Sequence, residues 1–339
     1  MDEPLVSVVM LSFNNIEIIG NCLSDLSNST FKNIETIVLD CASRDNSASY
    51  IANNFPWVNL IRFKKDPGPD AAYTYGVKQA KGSYILLISA DVRVLPNTIA
   101  SLVKRAEISS LDVAVPSCLD WDGVYANAGL GWPFFHVHEY DLFSVLLPKL
   151  FSSLKEQRPF YFIFACCLVK REAYIETPFN QNIGFYEDIE WAWRLDLKGK
   201  KIEVLDDVYC LHERGSSIKG PRAYYFNSRC VFATMLVCAK TDEIVFLSPP
   251  LATFQISELL FEILNGRYKN AVNIVKGWSD FLKLSPAYLK DRKTLFSSLS
   301  KKNSFNFLQR YVEAENYKRK REHLAYKRMY FQTAKTNSK

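Results

Sequence analysis

No two of the eight cysteines are spaced as C-x-x-C, and most lie in apolar runs such as Val231–Cys238. The chain therefore offers no Cys-x-x-Cys metal or redox motif, and its thiols read as small buried hydrophobes in a reducing compartment. No stretch reaches the roughly 20 uninterrupted apolar residues of a membrane-spanning helix. Met1–Pro4 is acidic and runs straight into a strand pattern, so no signal peptide is expected. Internal repeats and low-complexity segments are absent as well. What remains is ordinary globular composition, 48% hydrophobic and 23% charged over 339 residues, which excludes a disordered chain. That length suits two domains, or one large α/β domain with an appendage.

Charge is unevenly spread. The whole chain carries +6, but the stretch from Lys301 to the end holds 11 Lys/Arg against Glu313, Glu315 and Glu322, a net of +8 that leaves −2 for the rest. A near-neutral body with a basic tail points to an anionic partner. The tail lacks an RNA-binding motif, so a membrane surface is expected rather than nucleic acid.

Short β-rich apolar runs alternate with helical patterns through the first third. Leu5–Ser12, Ile34–Asp40, Val58–Phe63, Tyr84–Ser89 and Val113–Pro116 read as strands; Asn14–Asn28, Asp70–Ala80 and Pro96–Glu107 read as helices. Asp45 or Ser47 caps a further helix through about Asn54. Such alternation predicts a parallel sheet with right-handed crossovers, whose ligands sit at the carboxyl ends of the strands. Asp40 and Asp91 both stand at such ends, which makes a nucleotide or metal site plausible on physics alone. Gly123–Leu154 reads as an irregular loop region, Tyr161–Lys170 as a buried strand and Tyr186–Leu197 as a helix. Ile202–Leu205 and Val208–Leu211 read as two short strands before the polar loop His212–Lys219. From Tyr224 onward helical patterns continue through Tyr317; they suit either amphipathic helices on a membrane or packed helices of a soluble domain.

The opening Val6–Asn15 (VSVVMLSFNN) and Val38–Ser47 (VLDCASRDNS) resemble the start of family-2 glycosyltransferases of the GT-A fold, in a rhamnosyltransferase-like branch. Lys81–Val94 (KGSYILLISADVRV) is similar to the stretch that carries that family's D-x-D-like motif, with Asp91 as the retained acid and Ser89 in the place of the first. Phe164–Arg171 and Phe179–Arg194 resemble the family's small-residue strand, G-F-D stretch and E-D helix start, on which Glu187, Asp188 and Arg194 match. His212–Ser217 (HERGSS) resembles its late H-x-x-G-x-S motif. The resemblance covers Leu5–Ser217. Tyr75 departs from it, standing where the family often has Asn.

The resemblance implies a mostly parallel GT-A sheet flanked by helices over residues 1–225; beyond it, the residue pattern and charge predict a mainly helical, amphipathic and basic region over 226–339. It implies transfer of a sugar from a nucleotide-diphosphate donor, UDP or dTDP; the apolar helices and basic tail suit an anionic cytoplasmic leaflet, so a glycan or lipid-linked acceptor at the cytoplasmic face of a membrane is expected. Donor contacts fall on Ser12, Asn14, Asp40, Asp66, Asp91 and Arg214. Asp91 and His212 would hold Mg²⁺ or Mn²⁺. Asp188 is assigned the general base and Glu187 a supporting role. Each also has a structural reading: Asp91 as a turn residue, Glu187 and Asp188 as acids that favour a helix start, His212 as a satisfied histidine. A degenerate module that binds sugar nucleotide without transfer is the alternative, prompted by Ser89 and Tyr75.

Overall fold

The computed structural model describes residues 3–119, 165–184, 187–212 and 220–299. The expected loop region at 123–154, Arg214 and the basic tail lie outside these described residues.

The apolar runs form strands because their β-branched and aliphatic side chains are covered on both faces. Val6–Ser12 (β1), Ile34–Asp40 (β2), Asn59–Arg62 (β3) and Tyr84–Ser89 (β4) pair in parallel in the order β3-β2-β1-β4. Helices Ile19–Ser27 (α1), Ser47–Asn54 (α2) and Pro69–Gln79 (α3) connect them. The register sets Ser12 beside Asp40 and Leu11 beside Ser89, so the functional ends of β1, β2 and β4 share one edge. Gly82 lets β4 approach β1, since a Cβ there would lie 2.6 Å from the Leu5 carbonyl oxygen.

Beyond β4 the sheet becomes mixed. It continues through Cys166–Lys170 (β7), Val113–Leu119 (β6), Ile202–His212 (β8) and Val92–Val94 (β5), with β7 antiparallel to both neighbours. Four of the seven strand pairings among the described residues are parallel. The short strand β5, which the sequence pattern left unassigned, directly follows the turn at Asp91. One expectation changes here. The two strands expected at 202–205 and 208–211 are one, β8, whose register against β6 jumps between Leu205 and Tyr209. Asp206, Asp207 and Val208 bulge out, and the two acids interrupt the apolar pattern that would have marked a continuous strand.

Helices Thr98–Ser109 (α4), Arg171–Glu176 (α5) and Glu187–Leu197 (α6) flank the sheet, followed by Pro221–Cys238 (α7), Thr241–Leu264 (α8) and Tyr268–Ser298 (α9). One core gathers α1, α4 and one sheet face around Val8, Leu23 and Leu86. The other joins Val9, Val113 and the fully buried Trp191 and Trp193 to Met235 of α7 and Tyr288 and Leu295 of α9. Each buried side chain of this size contributes about 1.5–3 kcal/mol. The C-terminal helices thus complete the second core, and α7 runs across the boundary expected at 225. Helix α8 continues through Pro249 and Pro250, giving a 24-residue helix that contains an 18-residue stretch of mean hydropathy 1.4. By length and composition it could cross a membrane, although its longest apolar run in sequence is interrupted.

Candidate active site

Three groups of residues converge on the edge formed by the ends of β1, β2 and β4. The first is a cleft of about 690 Å³, lined by Phe13 and Asn14 after β1, by Asp40, Ser43 and Arg44 around the end of β2, and by Arg62 to Asp66 at the end of β3. Asp40 is 1% exposed; one carboxylate oxygen lies 4.0 Å from Arg62 Nε and the other has no hydrogen-bond partner. A buried acceptor left unsatisfied costs about 1–3 kcal/mol, so it calls for a donor from a ligand. Arg44, Arg62, Lys64 and Lys65 outnumber Asp40 and Asp66 in this lining, which favours an anion.

The loops that bound the cleft are stitched together by polar side chains. Asn14 accepts from the Arg44 amide and its own amide donates to Ser43 Oγ, at 2.8 and 3.0 Å. Asp45 accepts the amides of Ile16 and Ser47, at 2.9 and 3.1 Å, and these bonds hold its carboxyl below the usual range against the opposing effect of burial. Asn14 and Ala42 both take left-handed backbone, which costs a residue with a Cβ such as Ala42 about 1–2 kcal/mol. Ser12 is fully buried and donates to Asn15, supporting the β1 loop from below rather than lining the cleft. Asp66 lines the cleft and accepts the Gly68 amide at 2.8 Å.

The second group is Asp91 with His212. Pairing of Val92 with His212 between β5 and β8 brings them together, and Asp91 Oδ2 lies 3.5 Å from His212 Nε2. Burial alone would pull the imidazole down, but the hydrogen bond and charge of Asp91 carry it above its ordinary value. A carboxylate and an imidazole are a mixed oxygen and nitrogen donor set that suits Mn²⁺ or Mg²⁺ if other ligands come from phosphate. Among the described residues no group of three or more His, Cys, Asp or Glu could hold an ion unaided. Ser89, in the place of a second acid, hydrogen-bonds with Tyr73, whose hydroxyl also donates to the Ile88 carbonyl at 3.0 Å.

The third group is acidic. Glu187 and Asp188 start α6 and face Asp70 from the first turn of α3. Burial pushes the half-buried Asp188 up to about 7, while His212 pulls it down. Burial, then Glu190 and Asp188, raises Asp70 to about 8, against the pull of Arg194 and the Gly184 amide. Glu187 is raised well above the carboxylate range, first by burial and then by Asp188 and Asp70. One oxygen each of Asp70, Glu187 and Glu190 is buried without a hydrogen-bond partner. Arg194 is held by Glu190 at 2.6 Å and the Pro178 carbonyl at 2.8 Å, so it braces the helix. Beneath lies an edge-to-face cluster of Tyr73, Tyr174, Phe179 and Trp191.

The turn before Glu187 is fixed by the C-terminal helices. Arg229 Nη2 of α7 donates to the Ile183 carbonyl at 2.7 Å, and Asp291 of α9 accepts from Asn180 and Asn182 at 3.1 and 2.9 Å. Gly184 is left-handed (φ 71°), and a Cβ there would lie 2.8 Å from Arg229. The sequence reading missed Asp70, Tyr73, Arg229 and Asp291. Asp70 looks like any acid in a first helical turn, and only the lone charge of Arg229 beside the apolar run from Cys230 hinted at a role.

Against known proteins, residues 7–177 match the model of Glycosyl transferase family 2. The chain is 24% identical over 226 residues to Glycosyltransferase GlyG of Streptococcus pneumoniae serotype 4, covering 64% of this chain and 73% of that protein. It is 23% identical over 246 residues to the Cholesterol galactosyltransferase of Borreliella burgdorferi, covering 70% and 68%. Among solved structures it is similar to the mannosyltransferase PcManGT from Pyrobaculum calidifontis in complex with GDP-Man and Mn²⁺, at 16% identity and a TM-score of 0.53, covering 93% of this chain and 86% of that one. With its sheet, its converging acids and this family match, the chain belongs to glycosyl transferase family 2 and is a glycosyltransferase of GT-A fold.

Proposed function

We propose that the enzyme moves a hexosyl or deoxyhexosyl group from a nucleotide-diphosphate sugar to an acceptor hydroxyl, with inversion at the anomeric carbon. The observation that carries this reading is Asp188, half-buried at a helix start with its carboxyl at about 7, within electrostatic reach of His212 and so of the Asp91–His212 pair. A carboxylate poised near neutrality is what a general base requires.

In this reading the unpaired Asp40 oxygen accepts the ring N–H of uracil or thymine, which favours a UDP or dTDP donor, and the cleft cations draw the diphosphate inward. Asn14 and Asp66 bound the same cleft, Ser12 supports it, and Arg214 is assigned to the phosphate. Asp91 and His212 would hold Mg²⁺ or Mn²⁺, supplying charge neutralisation at the leaving diphosphate. As the acceptor oxygen bonds to the anomeric carbon, Asp188 takes its proton, and the bond to the diphosphate breaks with its electron pair leaving on the nucleotide. Glu187 and Asp70, whose carboxyls are raised, retain their protons and can donate to the acceptor's other hydroxyls. The acceptor is a glycan or lipid-linked intermediate, and the cholesterol-directed relative supports the lipid case. The basic tail would hold the enzyme peripherally at the cytoplasmic face of a membrane.

Asp188→Asn tests this, since the change is nearly isosteric. Transfer should fall by at least ~100-fold while donor affinity, read by calorimetry, stays put, and Glu187→Gln should be milder. Near-wild-type turnover in Asp188→Asn would remove the base assignment.

A further inference from the structure

Helix α8 is inside out for a helix in water. Its buried positions include Glu243, Gln255 and Glu262, while Val245, Phe246, Ile256, Leu260, Ile263 and Leu264 are exposed, Leu264 by 84%. The inward polar groups are satisfied: Gln255 accepts the Trp278 indole N–H, and Glu262 accepts from Tyr224, Asn270 and Arg267. No charged residue occurs between Glu243 and Glu258. An apolar face that runs from Val245 to Leu264, about 29 Å at 1.5 Å per residue, is far larger than the isolated exposed side chains of ordinary surfaces.

Helix α9 continues the pattern. Tyr268, Val272, Val275, Leu282 and Leu289 recur at steps of four, three, seven and seven residues and are all exposed, Leu282 by 68%. Lys269, Lys276, Lys283 and Lys290 follow at seven-residue steps, all exposed, and rim that stripe with positive charge; among the described residues, Lys283 alone of the four reaches an acid, Asp280 at 3.0 Å. An apolar stripe edged by lysine is the signature of a helix lying in the headgroup region of a bilayer. A second copy of this face, related by a two-fold axis, would bring the same lysines into the shared interface. Anionic headgroups neutralise them instead. Pro249 and Pro250 also remove the N–H donors for the Val245 and Phe246 carbonyls, which headgroups and water can satisfy but a hydrocarbon core cannot.

We infer that the outer faces of α8 and α9 form an in-plane docking surface for an anionic lipid bilayer, with the helices lying along it rather than crossing it. This rests on and deepens the peripheral-membrane part of the proposed function, adding these helices to the contact assigned to the tail.

The test uses the full chain and sedimentation with vesicles of phosphatidylcholine alone or mixed with phosphatidylglycerol. A Phe246→Ser/Leu260→Ser variant, and separately Leu282→Ser, should weaken binding to the mixed vesicles, the double variant at least ~tenfold. A Lys276→Glu/Lys283→Glu/Lys290→Glu variant should lose the preference for anionic vesicles. Donor hydrolysis should stay at the wild-type level in all three, so failure of the sugar-transfer reading, seen as no hydrolysis by wild type, is read separately. Wild-type vesicle binding in both apolar variants would overturn the surface, as would a wild-type dimer in solution that the Phe246→Ser/Leu260→Ser change dissociates.

Discussion

The basic cleft beside Asp40 and the acidic pocket around Asp188 share one sheet edge but satisfy their polar groups differently. Around the cleft, loop amides and side chains pair with one another, as in Asn14 with Ser43 and Arg44, and one acceptor on Asp40 is left over. In the pocket, three carboxyls each leave an oxygen unpaired, and burial raises Asp70, Glu187 and Asp188. The cleft is assembled by local loop contacts; the pocket is held from a distance by α7 and α9. The first arrangement leaves one buried acceptor open, and the second keeps several carboxyls raised by burial.

Substitutions should separate the two ends. In the cleft, Asp40→Asn replaces the charged acceptor proposed for the base N–H, an interaction worth about 1.5–3 kcal/mol. Donor affinity should drop by roughly 10- to 100-fold, with the turnover of bound donor little changed. Equal donor affinity in calorimetry would take the base away from Asp40. At the pocket, Arg229→Gln leaves the Ile183 carbonyl only the weaker Cys230 thiol donor, at 3.2 Å, and loosens the turn before Glu187. Turnover should fall by about tenfold, as misplacement of a catalytic group does, at constant donor affinity, and Arg229→Lys should recover part of it. A matching loss of donor affinity would mean that the clamp serves the whole edge.

The smallest effect is on stability against pH, and it has opposite signs at the two ends. Asp70 and Asp188 have native values of about 8 and 7, above the 3.8 of the free side chain, so the folded state holds more protons than the unfolded state between those limits. Stability from this pocket therefore declines as pH climbs from about 4 toward 8. His212, also raised, acts in the same sense: its contribution is complete below its unfolded value and fades as pH passes the native one. Asp45 is lowered, so its contribution is present above 3.8 and is lost on acidification. Asp70→Asn should raise the thermal midpoint more at pH 8 than at pH 5. An equal gain at both would show that Asp70 titrates normally.

The strands were legible because buried parallel strands read as unbroken apolar runs, and β1, β2 and β4 stand within a residue of where their runs place them. Strand β5 was missed because three residues after an acid give no period. The single course of β8 was missed because its bulge carries two acids, one of which, Asp207, pairs with Arg105. Asp91 and His212 were legible through their motifs, and the sheet pairing between Val92 and His212 supplies the reason they meet. Asp70 and Arg229 were hidden because each acts on a turn more than 40 residues away, and sequence spacing carries no trace of that contact.

The core that α7 and α9 share with the sheet bears on how such an enzyme can be rebuilt. A cut at 225 would fall inside α7, baring Trp191 and Trp193 together with Val231 and Met235 on the severed side. Swapping in another enzyme's C-terminal half to redirect acceptor choice would need a new aromatic inlay against α6, not merely a compatible joint. Acceptor preference in this chain should therefore shift by piecemeal substitution along the existing helices sooner than by wholesale recombination.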